Sequence, residues 1–245
     1  MNFIINLYKP FFDLQNWEKV ISSPNDWLLI ISLIIMECLL SVDNSIVLAA
    51  QAHTLKTKKE QADALFYGIW GAFIFRFLVI GIGTYLIDLW WIKILGALYL
   101  VYMAIHFFWE KMSGQHKKVK MFKIKGLSPL WQVIISIEFT DIMFSLDSVL
   151  TLIAVSNNPV IILIGSVIGI IAMRGVAEVI MSLMNKIPEL EPMAYVLILF
   201  IAVKLFLTIP AIDIEIPNTV FTIVMAIAFI ATFIVHIIRK KQPKN

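Results

Sequence analysis

Seven stretches of this 245-residue chain are almost wholly apolar, and each is about as long as a bilayer is thick. They cover residues 27–50, 65–88, 91–109, 128–154, 160–182, 193–209 and 218–238. Inside hydrocarbon no water reaches the backbone, so such stretches must be helices that satisfy their own N–H and C=O groups. The expected fold class is all-α: a polytopic membrane protein of seven transmembrane helices. Composition agrees, with 60% hydrophobic residues, 15% charged and a mean hydropathy of +0.88. A soluble domain has far more polar surface. Trp27, Trp90, Trp91, Trp109 and Trp131 fall near the expected helix ends, where an aromatic belt would sit.

Several function classes are excluded early. Cys38 is the single cysteine, so neither an internal disulfide nor a multi-thiolate metal site is expected. No G-x-x-x-x-G-K-[ST] pattern occurs, which argues against an ATP-driven motor in this chain. The first residues lack a basic region followed by an apolar run, so no cleaved signal peptide is expected. Residues 1–26 instead read as an amphipathic interfacial segment. Phe3, Leu7, Phe11, Leu14, Trp17 and Ile21 recur at helical spacing, with Pro10 near a helix start.

Orientation follows from the basic residues. Alternate loops and the tail carry Lys56, Lys58, Lys59, Lys111, Lys117, Lys118, Lys120, Lys123, Lys125, Lys186, Arg239, Lys240, Lys241 and Lys244. The opposite side has only Lys9, Lys19 and Lys93. The positive-inside rule makes the first set cytoplasmic, with the N-terminus outside and the C-terminus inside. Residues 110–127 are then a basic cytoplasmic loop, 239–245 a basic cytoplasmic tail, and the acidic link 210–217 extracytoplasmic. Lying between two spans, the lysine loop reads as a topology signal and not a nucleic-acid patch.

Acids interrupt two of the apolar stretches, and the interruptions repeat. E-C-L-L-S-V-D-N (Glu37–Asn44) and D-I-M-F-S-L-D-S (Asp141–Ser148) place carboxylate, Ser, Asp and Asn or Ser at the same spacing. Gly71, Arg76 and His106 recur likewise as Gly169, Arg174 and Lys204. The chain therefore reads as a three-helix repeat over 27–109 and a second over 128–209, followed by a seventh helix. An odd number of spans per unit inverts the second, an arrangement found in secondary transporters with midplane sites.

A carboxylate at membrane depth costs several kcal/mol unless it meets a cation, a proton or a cavity. On a helix, Glu37, Ser41 and Asn44 share a stripe, as do Glu138, Asp141, Ser145 and Ser148. Asp43 and Asp147 sit about 120° away, so convergence of the acids requires both helices to unwind, around 41–44 and 145–148. Carboxylates, a carboxamide and hydroxyls suit a hard divalent cation such as Mn²⁺, Mg²⁺ or Ca²⁺. Glu138, Ser41 and Ser145 are further candidate ligands. The plain structural reading is internal salt bridging to Arg76, Arg174 and Lys204. Glu178, four residues after Arg174, is expected to be its helix partner. The three bases cannot neutralise all six acids (Glu37, Asp43, Glu138, Asp141, Asp147, Glu178), which leaves acids for metal or protons.

The segments E-C-L-L-S-V-D-N-S-I-V-L-A (37–49) and E-F-T-D-I-M-F-S-L-D-S-V-L-T-L-I-A-V (138–155) closely resemble the TerC family of bacterial integral membrane proteins, within the wider LysE-like group of exporters. The resemblance runs over nearly the whole chain and includes Arg174. It implies a short-form, multi-pass transporter of the bacterial cytoplasmic membrane. Its cargo would be Mn²⁺, with protons as the candidate counter-ion and extracytoplasmic manganese enzymes as candidate recipients. Carried over, Glu37, Asp43, Asn44, Asp141, Asp147 and Ser148 are the metal-handling positions. No organic cofactor, nucleic acid or enzymatic activity is expected. An intramembrane aspartyl protease is disfavoured because Gly81-Ile82-Gly83 is followed by Thr84, not Asp. The alternatives are a non-transporting membrane partner in metal or tellurite stress resistance, and a carrier of Ca²⁺ or Mg²⁺.

Overall fold

The computed structural model describes residues 8–82, 90–113 and 126–241. The side chains of Trp90, Leu146, Asp147, Asn218 and Lys241 fall outside that description, as do Phe3, Leu7 and Lys117–Lys125 among the residues read above.

Helix starts are set by short polar caps, often followed by proline. After a 3-10 turn at Lys9–Phe12, Asp13 caps α1 (Leu14–Ser22) by accepting the Gln15 N–H. Ser23, Ser128 and Asn158 cap α2 (Pro24–Leu40), α6 (Pro129–Val155) and α7 (Pro159–Met184) in the same way. Each cap accepts an otherwise unbonded first-turn N–H, and the proline that follows Ser23, Ser128 and Asn158 has no N–H to satisfy. Thr57 and Glu60 form a reciprocal capping box that starts α4 (Lys58–Gly81). This polar first turn lies ahead of the apolar run, which is why hydropathy alone places the helix start near residue 65. The remaining helices are α3 (Val42–His53), α5 (Trp90–Met112), α8 (Leu190–Leu207) and α9 (Asn218–Lys241).

Chain direction bends by 88° between α1 and α2. The N-terminal segment lies across helix ends: Phe11 is buried against Phe77 with ring centroids 4.9 Å apart, and the Tyr8 hydroxyl donates to the Leu78 carbonyl at 2.8 Å. Asn16 and Asn158 exchange amide hydrogen bonds at 3.2 and 3.0 Å. Leu14 and Ile21 of the apolar stripe are exposed, and Phe11 and Val20 are buried.

α7 is the central element, packed against α2, α3 and α4. α4 also packs on α6, and α5 packs on α8, where Phe107 stacks on Tyr195 with centroids 3.8 Å apart. Outer faces carry large exposed apolar side chains, among them Ile35, Leu98, Val203, Ile227 and Ile234. Such a surface is stable only against lipid. Among the described residues, five helices (α4, α5, α7, α8, α9) are long and apolar enough to cross a membrane, or six if the bent α1–α2 pair is one span. The described residues are all-helical, without strands.

The first acidic stretch breaks its helix and the second does not. Ser41 separates α2 from α3 with φ −106° and ψ 9°, its hydroxyl facing the Glu37 carboxylate. α6 runs unbroken through 145–148, contrary to the expected unwinding there. The reason is local: the Ser145 and Ser148 hydroxyls donate back to the Ile142 and Ser145 carbonyls at 3.0 and 3.2 Å. That bonding satisfies the hydroxyls without leaving helical geometry.

Candidate functional site: an acidic membrane core below a vestibule

Each buried base is bonded across helices. Arg76 donates to Glu37 Oε1 at 2.7 Å and to Ser148 Oγ at 3.0 Å, so one guanidinium ties α4 to both α2 and α6. Arg174 donates to Asp141 Oδ2 and to the Gly68 carbonyl, both at 3.2 Å, with Glu138 Oε1 3.7 Å away. Both arginines are 3% exposed. A planar fork with five donors suits a buried site with several acceptors. Lys204 donates to Asp43 Oδ2 at 3.1 Å, while Asp43 Oδ1 accepts the Asn44 N–H at 3.1 Å. Asp43 sits in the first turn of α3, where the helix dipole favours a negative charge.

Glu178 is not the partner of Arg174. It lies on the exposed side of α7. Arg174 turns instead to the inward cluster, because Asp141 and the Gly68 carbonyl offer it acceptors out of water. His106 faces Glu110 and Tyr102 on its own helix.

Backbone proximity makes room for the acids. A methyl at Gly71 would collide with the Glu138 carboxylate, and one at Gly169 with Glu37 Cγ. Each glycine thus accommodates an acid projecting from the other proposed repeat. Some polar atoms remain unmatched: Glu37 Oε2, Glu138 Oε1 and both Arg76 Nε and Arg174 Nε have no hydrogen-bond partner.

A cavity of about 650 Å³ reaches this core. Its deep wall carries Asp43, Asn44, Ser148 and Lys204, and Thr151 and Thr208 continue its polar lining. Lys93, Glu215, Ile216 and Pro217 line it near the face where α5 and α9 begin and α8 ends. The structure therefore sorts the sequence candidates. Asp43, Asn44 and Ser148 share the cavity, whereas Glu37 and Asp141 lie against Arg76 and Arg174. Ser41 bonds Glu37 and Ser145 bonds its own helix. The Asp147 side chain lies outside the described residues. Among the described residues, no three His, Cys, Asp or Glu side chains gather closely enough to hold a metal.

Further polar pairs that pattern reading did not single out join the helices, two near helix ends and one, at Thr140, within α6. Gln51, fully buried, donates to Thr140 Oγ1 at 3.1 Å. Asn185 donates to Gln61 Oε1 at 2.8 Å, and His53 meets Glu191 at 3.3 Å. Their signal was present as amides within or beside apolar runs, yet neutral side chains stand out less than charges. Thr151, three residues after Ser148, was legible as the same helix face.

A helical membrane-spanning bundle with paired charges in its core and a cavity leading to them defines the class. The chain belongs to the Integral membrane protein TerC family, which it matches over residues 22–244. It is 43% identical over 247 residues to "Uncharacterized membrane protein YceF" of Bacillus subtilis, covering 99% of this chain and 94% of that one. Identity to "Uncharacterized membrane protein YkoY" of the same organism is 30%, covering 74% of this chain and 60% of the relative. "Tellurium resistance protein TerC" of Alcaligenes sp is 27% identical, covering 69% and 64%. No solved structure matches the chain.

Proposed function

We propose that this chain is a secondary transporter that exports divalent metal cations, Mn²⁺ foremost, across the bacterial cytoplasmic membrane. The observation that carries the proposal is the cavity of about 650 Å³ that descends to Asp43, Asn44 and Ser148 among membrane helices. An oxygen-only donor set beside a displaceable ammonium suits a hard cation. In this reading α2 and α3 form one broken span and α4 to α9 the other six, with the N-terminus outside. The vestibule then opens to the extracytoplasmic side, and the Gln51–Thr140 and Gln61–Asn185 pairs close the cytoplasmic side.

The inverted repeat gains support from the matched ion pairs. Arg76 holds Glu37 within the first unit and Arg174 holds Asp141 within the second. Moving a divalent cation out against an interior-negative potential costs about 4.6 kcal/mol per 100 mV. Exchange for two protons would cancel the charge moved, and the acids in excess of the core bases are the candidate carriers. Extracytoplasmic manganese enzymes are candidate recipients of the exported metal.

A second reading has its own observation: the three core bases Arg76, Arg174 and Lys204 each meet an acid, and among the described residues no three-ligand cluster exists. That would suit a non-transporting membrane partner in metal or tellurite stress. The purified chain in liposomes separates the two. We expect Mn²⁺ flux accelerated by an opposing pH gradient, and loss of flux in Asp43→Asn. Absence of flux for Mn²⁺, Ca²⁺ and Mg²⁺ alike would favour the partner role.

A further inference from the structure

We propose that Lys204 is a resident counter-cation that competes with cargo for Asp43, an inference that rests on the transport reading above. Three observations lead to it. First, the Lys204–Asp43 pair is the ion pair on the wall of the vestibule: Nζ lies 3.1 Å from Oδ2, and both residues line the cavity. Second, the remaining donors beside it, Asn44 and Ser148, are neutral. With Lys204 in place, these described groups carry no net charge, so an arriving divalent cation gains Asp43 Oδ2 by displacing the ammonium. Third, the paired ammonium also lies over a π face: Lys204 Nζ is 5.5 Å from the centroid of the Phe221 ring, where a cation is attracted.

The two arginines are built differently. Each is 3% exposed and forks between two elements, Arg76 onto Glu37 and Ser148, Arg174 onto Asp141 and the Gly68 carbonyl. Lys204 is a point charge on a flexible stem, with 17% of its side chain exposed. When cargo departs into the vestibule, Lys204 closes on Asp43, opposes rebinding and keeps the acid from crossing the return step bare. Release and reset are thereby one event, carried by one side chain of α8, with the Phe221 ring of α9 beside its ammonium.

The test uses the full-length protein in lipid nanodiscs, with Mn²⁺, Mg²⁺ and Ca²⁺ each titrated alone. Lys204→Gln is expected to bind the accepted cation at least tenfold more tightly than the unmodified protein, and to turn over at least tenfold more slowly in liposomes. Lys204→Arg should keep near-normal affinity. Where Lys204→Gln does not fold, the unmodified protein supplies the readout. A saturating divalent cation should raise labelling of Lys204 by a water-soluble amine reagent several-fold, and Asp43→Asn should label highly without cation. A folded Lys204→Gln that binds no tighter, labelling indifferent to cation, or no binding of any of the three cations overturns the proposal. If Lys204 competes with Ca²⁺ or Mg²⁺ while the unmodified protein moves no Mn²⁺, the manganese reading alone fails.

Discussion

At the residue scale, the core is governed by the cost of bare charge in hydrocarbon. Glu37 is 1% exposed and depends on Arg76 for its neutralisation. Removing one member of such a pair typically costs 3–5 kcal/mol, because the other is left buried and unpaired, whereas removing both is far milder (roughly neutral in favourable cases). Arg76→Met should therefore lower the melting temperature of the purified protein strongly, and Glu37→Gln added to it should recover most of the loss. A double variant as unstable as Arg76→Met would show that the pair is not what holds these helices. The presence of compensating bases was legible in the sequence, but the pairing was not. The i,i+4 rule pointed Arg174 at Glu178, because that rule describes an isolated helix. In the folded chain Asp141 on α6 and the Gly68 carbonyl on α4 compete and win.

At the element scale, close helix approach and helix-end ties decide the architecture. Gly71 and Gly169 admit Glu138 and Glu37 against the α4 and α7 backbones. Overpacking of this kind costs typically about 1–3 kcal/mol. Gly71→Ala and Gly169→Ala should each lower thermal stability and impair flux, while Gly175→Ala, which meets open space, should do neither. Equal behaviour of all three would contradict the account. α9 is tied at its C-terminal end by His236, which meets Glu189 Oε2 at 2.8 Å, with Arg239 at 3.7 Å from the same carboxylate. The hydrogen bond from His236, the residue's own backbone and the Arg239 charge hold the Glu189 carboxyl below its ordinary range. A depressed carboxylate stabilises above its unfolded pKa and loses that contribution as pH falls through the folded value. The melting difference between the unmodified protein and Glu189→Gln should thus be full at neutral pH, start to shrink only near the unfolded glutamate value of about 4.3, and be lost as pH falls further. The apolar runs announced an all-helical chain, but one run divides into α2 and α3, and α4 starts seven residues ahead of its run. The 41–44 break and the intact 145–148 helix were not separable from sequence, since Ser favours either outcome according to what its hydroxyl meets.

At the scale of the whole molecule, the vestibule is the feature sequence reading could not supply. Its wall draws Asp43 from α3, Lys93 from α5, Ser148 from α6, Lys204 from α8 and Glu215 from a loop. No spacing rule connects residues so far apart in the chain. What the sequence did carry was the acid excess and the repeated motif, and three of its six metal-handling positions line this cavity. The central claim is export of Mn²⁺ through that cavity. Its most direct measurement is the manganese content of cells lacking the protein, grown in excess Mn²⁺ and complemented with the unmodified chain, Asp43→Asn or Asp147→Asn. The account predicts manganese accumulation without the protein, correction by the unmodified chain, and no correction by either variant. Full correction by both variants, or no accumulation in the first place, would contradict it.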